Sequence, residues 1–326
     1  MRETDPAGAI EPAPPPSPAA ALEPVTPPRP RHLGAPSIAG DVPVGDGLGI
    51  VVSHLLDVLL HWADRCRVAA EPEAVHQARV ATRRLRSALS IYKRVAACPE
   101  LDALAAGLRE CAGRLGAARD WDVFLEGTGA RLAAGDPDPR ITVLLRAAQR
   151  RRNEAYAQLR LHLASPGFRT LEAGLGCAAA LRPWERTADP ADLRRETAAF
   201  AADVLRRRMK RVRKAGRGVA ELPIPALHEL RKECKRLRYA AEFFAPGFPK
   251  KATKAFGKRL AALQEALGAL NDAAQAGTLM AQLGRAGRGY AGGIVEGWAS
   301  AAAEPARQRV RKAWKRFRAE PAFWQA

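Results

Sequence analysis

Acidic residues are scarce in this 326-residue sequence: 34 Asp and Glu stand against 53 Lys and Arg, a formal net charge of +19. Cysteine is sparse too. Cys66, Cys98, Cys111, Cys177 and Cys234 are odd in number and form no C-x-x-C pair, which argues against a disulfide scaffold or zinc ribbon and fits a reduced cytoplasm. None has a neighbouring His in sequence to activate it, so a catalytic thiol has no support. No run of about 18 apolar residues is seen, so no membrane span is expected, and no membrane is assigned as the partner. The start, MRETDPAGAI, lacks a basic region followed by an apolar core, and no signal peptide is expected. The chemical signatures G-x-x-x-x-G-K-[ST], G-x-S-x-G, H-E-x-x-H and H-x-E…C-x-x-C are absent, so no catalytic residue, cofactor or metal ligand is assigned.

What is present begins with the charge. A hydrophobic fraction of 47% supports a folded body, and the cationic excess points to a polyanion: nucleic acid, an anionic membrane or a phosphate polymer. Residues 1–44 hold twelve of the 25 prolines and a charge of −2, and read as an extended arm. The remaining 282 residues therefore carry +21. From about Leu48 the pattern is helical throughout, with breakers such as Pro72, Pro99, Pro166, Pro190, Pro225 and Pro249 at helix-length intervals. The expected class is all-α, built from long antiparallel helices in bundles.

A repeat organises this body. His76-Gln-Ala-Arg-Val-Ala-Thr-Arg-Arg-Leu-Arg86 matches His228-Glu-Leu-Arg-Lys-Glu-Cys-Lys-Arg-Leu-Arg238 at an offset of 152. Without a gap, Leu115-Gly116-Ala117 matches Leu267-Gly268-Ala269, and Asp120 matches Asp272. The reading is a tandem duplication, with first and second helical bundles over residues 45–187 and 188–326. Packing about a pseudo-two-fold axis would bring equivalent surfaces face to face.

At 100° per residue, His76, Arg79, Arg83 and Arg86 fall on one stripe, as do His228, Arg231, Lys235 and Arg238, with Arg84 and Arg236 at the flanks. Alone, either helix reads as a solvated basic face. Like charges at i,i+3 and i,i+4 destabilise a helix, however, and His76 to Arg86 contains no acid to relieve them. A face that recurs despite this repulsion suits a bound anion, with the histidines near helix starts able to donate hydrogen bonds. In a third basic segment, Leu205, Met209 and Val212 mark the buried side, so Arg207, Lys210, Arg211 and Lys214 point away from it. Asp120, Asp122 and Asp272 are better suited to orienting guanidinium groups than to binding magnesium.

At these residues the sequence resembles the CHAD family, the conserved histidine α-helical domain. The resemblance is carried by AVHQARVATRRLRSAL, LGAARDWDV, LHELRKECKRLRYAAEFF and LGALND, and spans roughly residues 45–320. It implies two four-helix bundles related by pseudo-two-fold symmetry, with a basic cavity at their junction. It further implies non-catalytic binding of inorganic polyphosphate, in the cytoplasm and at polyphosphate granules. The implied ligands are His76, Arg79, Arg83, Arg84, Arg86, His228, Arg231, Lys235, Arg236 and Arg238; Arg207 and Arg211 are added from the third segment. The E-x-E-x-K signature of the triphosphatase domain often fused to relatives is absent, so hydrolysis is not carried over. The alternative is a helical protein binding nucleic acid without sequence preference. Against it, aromatics are 6% of residues and none interrupts the stripe, so no base-stacking platform is expected.

Overall fold

A computed structural model describes residues 34–135 and 138–325, with side chains placed for all but 271–274. Most of the Pro-rich arm, and the side chain of Asp272, lie outside the described residues. Among the described residues there are twelve α-helices and no strand. The expected class, all-α, is what the chain adopts.

The punctuation of the sequence sets the helices. Proline occupies the first turn of α2 (Pro72–Tyr92), α3 (Pro99–Phe124), α5 (Pro139–Leu163), α6 (Pro166–Leu181) and α7 (Pro190–Arg194), where its missing N–H has no helical partner to lose. Asp138, Ser165 and Asp189 cap the last three, accepting from the backbone N–H groups of Arg140, Phe168 and Ala191. α1 (Val44–Val68) precedes these, and α4 (Ala130–Gly135) links α3 to α5. The chain continues through α8 (Thr197–Ala215), α9 (Ile224–Phe244), α10 (Lys250–Gln282), α11 (Arg285–Arg288) and α12 (Tyr290–Arg318).

Packing follows chain order. α1 lies on α2 and α6, α2 on α3, and α3 on α5 and α6; later, α8 lies on α9, α9 on α10, and α10 on α12. Across the chain, α2 meets α9 and α1 meets α8. Tyr92 of α2, Phe200 of α8 and Phe244 of α9 join these elements at ring separations of 5.2 to 6.5 Å. One apolar core therefore runs from Ile38 to Trp324 through both halves of the chain. A smaller core, with Trp121, Phe124, Leu144, Met280 and Val295, ties together the far ends of α3, α5, α10 and α12.

Two features depart from the sequence reading. The packed chain begins before residue 44: Ile38 is buried, and the carbonyls of Gly40 and Val42 accept hydrogen bonds from the N–H groups of Ala198 and Thr197. In addition, α1 is long and apolar enough to cross a membrane, because Gly, His and a few charges do not outweigh its Val and Leu residues. Of that apolar stretch 61% is buried inside the protein, and Val51, Val52, Leu55 and Leu59 pack in the main core.

Candidate functional site

The repeated helices have the same length and begin 152 residues apart: α2 starts at Pro72 and α9 at Ile224. Each is amphipathic because its apolar residues recur at helical spacing: Leu85, Ala88 and Tyr92 are buried on α2, and Leu237, Ala240 and Phe244 on α9. With those faces turned to the core, the basic flanks of both helices meet at their junction.

There they line a cavity of about 770 Å³. α2 supplies Arg83, Arg86, Ser87 and Ser90; the turn after it, Lys93; α3, Arg109; α8, Arg208; and α9, Lys232, Lys235, Arg236 and Tyr239. Eight cations thus face one carboxylate, that of Asp102, which already accepts from Lys93 at 2.7 Å. Arg236 pairs with Glu233, and Lys232 with Glu229 at 2.7 Å. Arg83 lies with its guanidinium 5.9 Å from the Tyr239 ring centre. Its Nε, like Ser87 Oγ, is buried without a hydrogen-bond partner. A buried donor left in that condition costs about 1–3 kcal/mol, which an incoming acceptor would relieve.

Cations outnumber carboxylates in the cavity lining eight to one. Burial, then the charges of Arg109, Arg236 and Arg83, push the Arg86 guanidinium below its ordinary range. Arg208, 6% exposed and donating to Ser90 Oγ at 3.0 Å, is lowered by burial and then by Arg211. Burial is the larger cause of both shifts and neighbouring cations add to it, with Glu233 opposing at Arg208.

The predicted residues divide into groups. Arg83, Arg86, Lys235 and Arg236 line the cavity. His76 and Arg79 continue the same stripe toward the start of α2. Burial, then Arg119, lowers the His76 imidazole, while burial, then Arg83, lowers Arg79, opposed by Asp120. Arg79 and Arg231 run over matching glycines: a Cβ on Gly116 would lie 4.0 Å from Arg79 Nε, and one on Gly268 4.0 Å from an Arg231 terminal nitrogen. His228 is exposed where His76 is half-buried. Arg84 and Arg238 do not line the cavity: both are bound to Glu242, at 3.5 and 2.6 Å, and Arg238 also donates to Gln264 at 3.1 Å. Arg207 and Arg211 are exposed on α8, beside the cavity rather than in it.

Sequence reasoning missed Lys93, Arg109, Arg208, Lys232 and the polar groups of Ser87, Ser90 and Tyr239. Arg208 left a legible sign, because its helical position places a guanidinium on the edge of the arc marked by Leu205, Met209 and Val212. Lys93 and Arg109 left none, since the packing of α3 against α2 brings them in. Asp122 takes the role of orienting a guanidinium: 1% exposed, it accepts from Arg152 Nε at 2.7 Å and from the Tyr156 hydroxyl at 2.9 Å. Four of the cysteines are buried, and burial raises Cys66 to about 12 and Cys111 to about 11, far from thiolate reactivity.

Fold and site together define an all-α protein in which α2, α3, α8 and α9 line a cationic cavity. The CHAD domain family model matches residues 50–281, and the chain belongs to that family. Among solved structures, the CHAD domain from the plant Ricinus communis superposes with a TM-score of 0.75 at 28% identity, covering 88% of this chain and 96% of that one. PptA from Streptomyces chartreusis shares the fold at a TM-score of 0.65 and 19% identity, covering 84% and 99%. Uncharacterized protein Rv2226 of Mycobacterium tuberculosis strain H37Rv is 31% identical over 228 residues, as is MT2285 of strain CDC 1551. The match covers 65% of this chain but 42% of those two proteins, so the chain spans less than half the length of the curated relatives it matches.

Proposed function

We propose that the chain binds inorganic polyphosphate in the α2–α9 cavity without chemically altering it, in the cytoplasm and at polyphosphate granules. The observation that carries this reading is the lining: eight cations and one already paired carboxylate around about 770 Å³. Guanidinium groups engage phosphate oxygens as paired donors, and the lysines add point charges. Release of counterions condensed on the polymer supplies much of the driving force, so binding weakens steeply with salt. A flexible phosphate chain fits such a space. A double helix, whose major groove alone is about 12 Å wide, would touch only the rim.

Competition tests the reading. Labelled long-chain polyphosphate bound to the protein is challenged with equal phosphate equivalents of double-stranded DNA, RNA and unlabelled polyphosphate. Polyphosphate should displace the label at least about tenfold more effectively than DNA, a difference of about 1.4 kcal/mol. Equal displacement by DNA overturns the proposal in favour of sequence-independent nucleic-acid binding. For location, a fluorescent fusion should concentrate on phosphate-rich granules, and an even distribution would refute that part.

A further inference from the structure

The cations of α8 extend beyond the side that faces the cavity. At 100° per residue, Arg208 stands at one edge of the buried arc. The exposed arc then carries Arg211, Arg207, Lys214 and Lys210 in that order, and ends near Arg213. On this far side a second hollow of about 450 Å³ lies between α8, the turn after it and the C-terminal segment. Arg206, Lys210, Arg213, Lys214 and Arg217 line it together with Trp324. No carboxylate lines it among the described residues; of the five cations, Arg206 is ion-paired with Asp203 at 2.8 Å. Lys210, Arg213 and Lys214 sit at repelling i, i+3 and i+4 positions. The Nε1–H of Trp324, 5% exposed, has no hydrogen-bond partner. A hollow that collects cations without an acid is complementary to an anion.

We infer that this outer hollow is a second phosphate-chain subsite, reached by polyphosphate that leaves the cavity and crosses the exposed arc of α8 over Arg211 and Arg207. The inference rests on the polyphosphate reading of the cavity. The distance is short, because a helix with its side chains measures about 10–12 Å across. The path is charged throughout: Arg211 acts on the cavity residue Arg208, and Arg94 acts on Arg207. Arg207 and Arg211, which line neither hollow, thereby gain a role as the bridge. Two subsites joined by one polymer act as linked binding modules, so affinity rises with chain length beyond what the cavity holds.

The test compares tripolyphosphate with long-chain polyphosphate on the full chain and two variants, Lys210→Gln/Arg213→Gln/Lys214→Gln/Arg217→Gln and Arg207→Gln/Arg211→Gln. All six residues are exposed, and circular dichroism verifies folding. The fourfold variant should bind tripolyphosphate like the parent but long chains about tenfold more weakly, with a salt slope shallower by roughly 2 to 4. The bridge variant should show a smaller loss confined to long chains. Unchanged long-chain binding in both variants overturns the subsite. So does an equal loss for tripolyphosphate, or a loss seen only with double-stranded DNA. Failure of the cavity reading is separable: Arg83→Gln/Arg109→Gln would then bind both polymers like the parent.

Discussion

The two flanks of the α2–α9 junction start from matched sequence and end in opposite states. On one, Arg86, Arg208, Lys232 and Lys235 face an open cavity. On the other, Arg84 of α2 and Arg238 of α9 close on Glu242. Arg238 is the repeat partner of Arg86, and Arg236 that of Arg84, so each flank receives one member of each pair. The difference lies in a third position. Ser90 and Glu242 are 152 residues apart: Ser90 accepts from Arg208 and adds no charge, whereas Glu242 neutralises two arginines in place. Matched cationic segments thus line a cavity on one side and form an interhelical tie on the other, and one side chain makes the difference.

Exchanging that side chain should break the contrast. Ser90→Glu puts a carboxylate beside Arg208 and into the path of the polymer. Affinity for polyphosphate should fall about a hundredfold, near 2.7 kcal/mol, with the helices intact, as calorimetry and circular dichroism would report. Wild-type affinity would mean that the cavity is not where phosphate binds. Next in size, Arg83→Ala removes a half-buried guanidinium whose Nε has no hydrogen-bond partner, and should weaken binding about tenfold or more, as one charge-assisted contact of about 1.5–3 kcal/mol predicts. The unliganded protein should lose little stability, so a collapse in thermal midpoint would mark Arg83 as structural.

Glu242→Gln tests the closed flank. Arg84, with a side chain 16% exposed, loses its carboxylate, at a cost of about 1–2 kcal/mol in the unliganded protein. Added polyphosphate should restore more of the thermal midpoint in this variant than in the parent, because two arginines are released to bind it. A variant as stable as the parent would show the tie to be idle.

The smallest effect concerns protons. His76 is held below its ordinary 6.5 by burial and then by Arg119, so its imidazole is neutral at pH 7. A phosphate chain favours the imidazolium, so binding takes up a proton and affinity rises as pH falls from about 7.5 to about 5.5. In the unliganded protein the sign is reversed. A folded-state pKa below the unfolded value gives a stability contribution that is present above about 6.5 and is lost as pH falls through the folded value. His76→Ala should flatten both dependences by twofold to threefold, roughly; binding that keeps its slope would assign the proton to another group.

Much of this was legible beforehand. Proline spacing marked the helix starts of α2, α3, α6 and α7, because a residue without an N–H is tolerated in the first turn and costs a hydrogen bond in the helix interior. Periodicity separated Leu85 and Leu237 in the core from the arginines outside it. The stripe itself was read correctly as a set of cations, yet only Arg83, Arg86, Lys235 and Arg236 of the predicted ligands line the cavity. Periodicity gives an angle about one helix axis and carries nothing about the neighbouring helix. Arg84 and Arg238 therefore looked equivalent to Arg236 and Arg86 until Glu242 was seen between them. Arg208 was passed over because its neighbours Leu205, Met209 and Val212 marked that side as buried, which it is; the burial is in a polar cavity wall.

The sequence by itself determined the helices, their amphipathic faces, the +21 carried by the chain after residue 44 and the offset of 152 that relates two cationic segments. These are local properties, fixed by turn chemistry, by 3.6-residue periodicity and by counting charge. The tertiary structure alone decided which cations share one cavity and which close on Glu242. That outcome depends on contacts between residues more than a hundred positions apart, such as Arg208 with Ser90 and Arg84 with Glu242. Chain-local periodicity is blind to such contacts, because it gives an angle about one helix axis only.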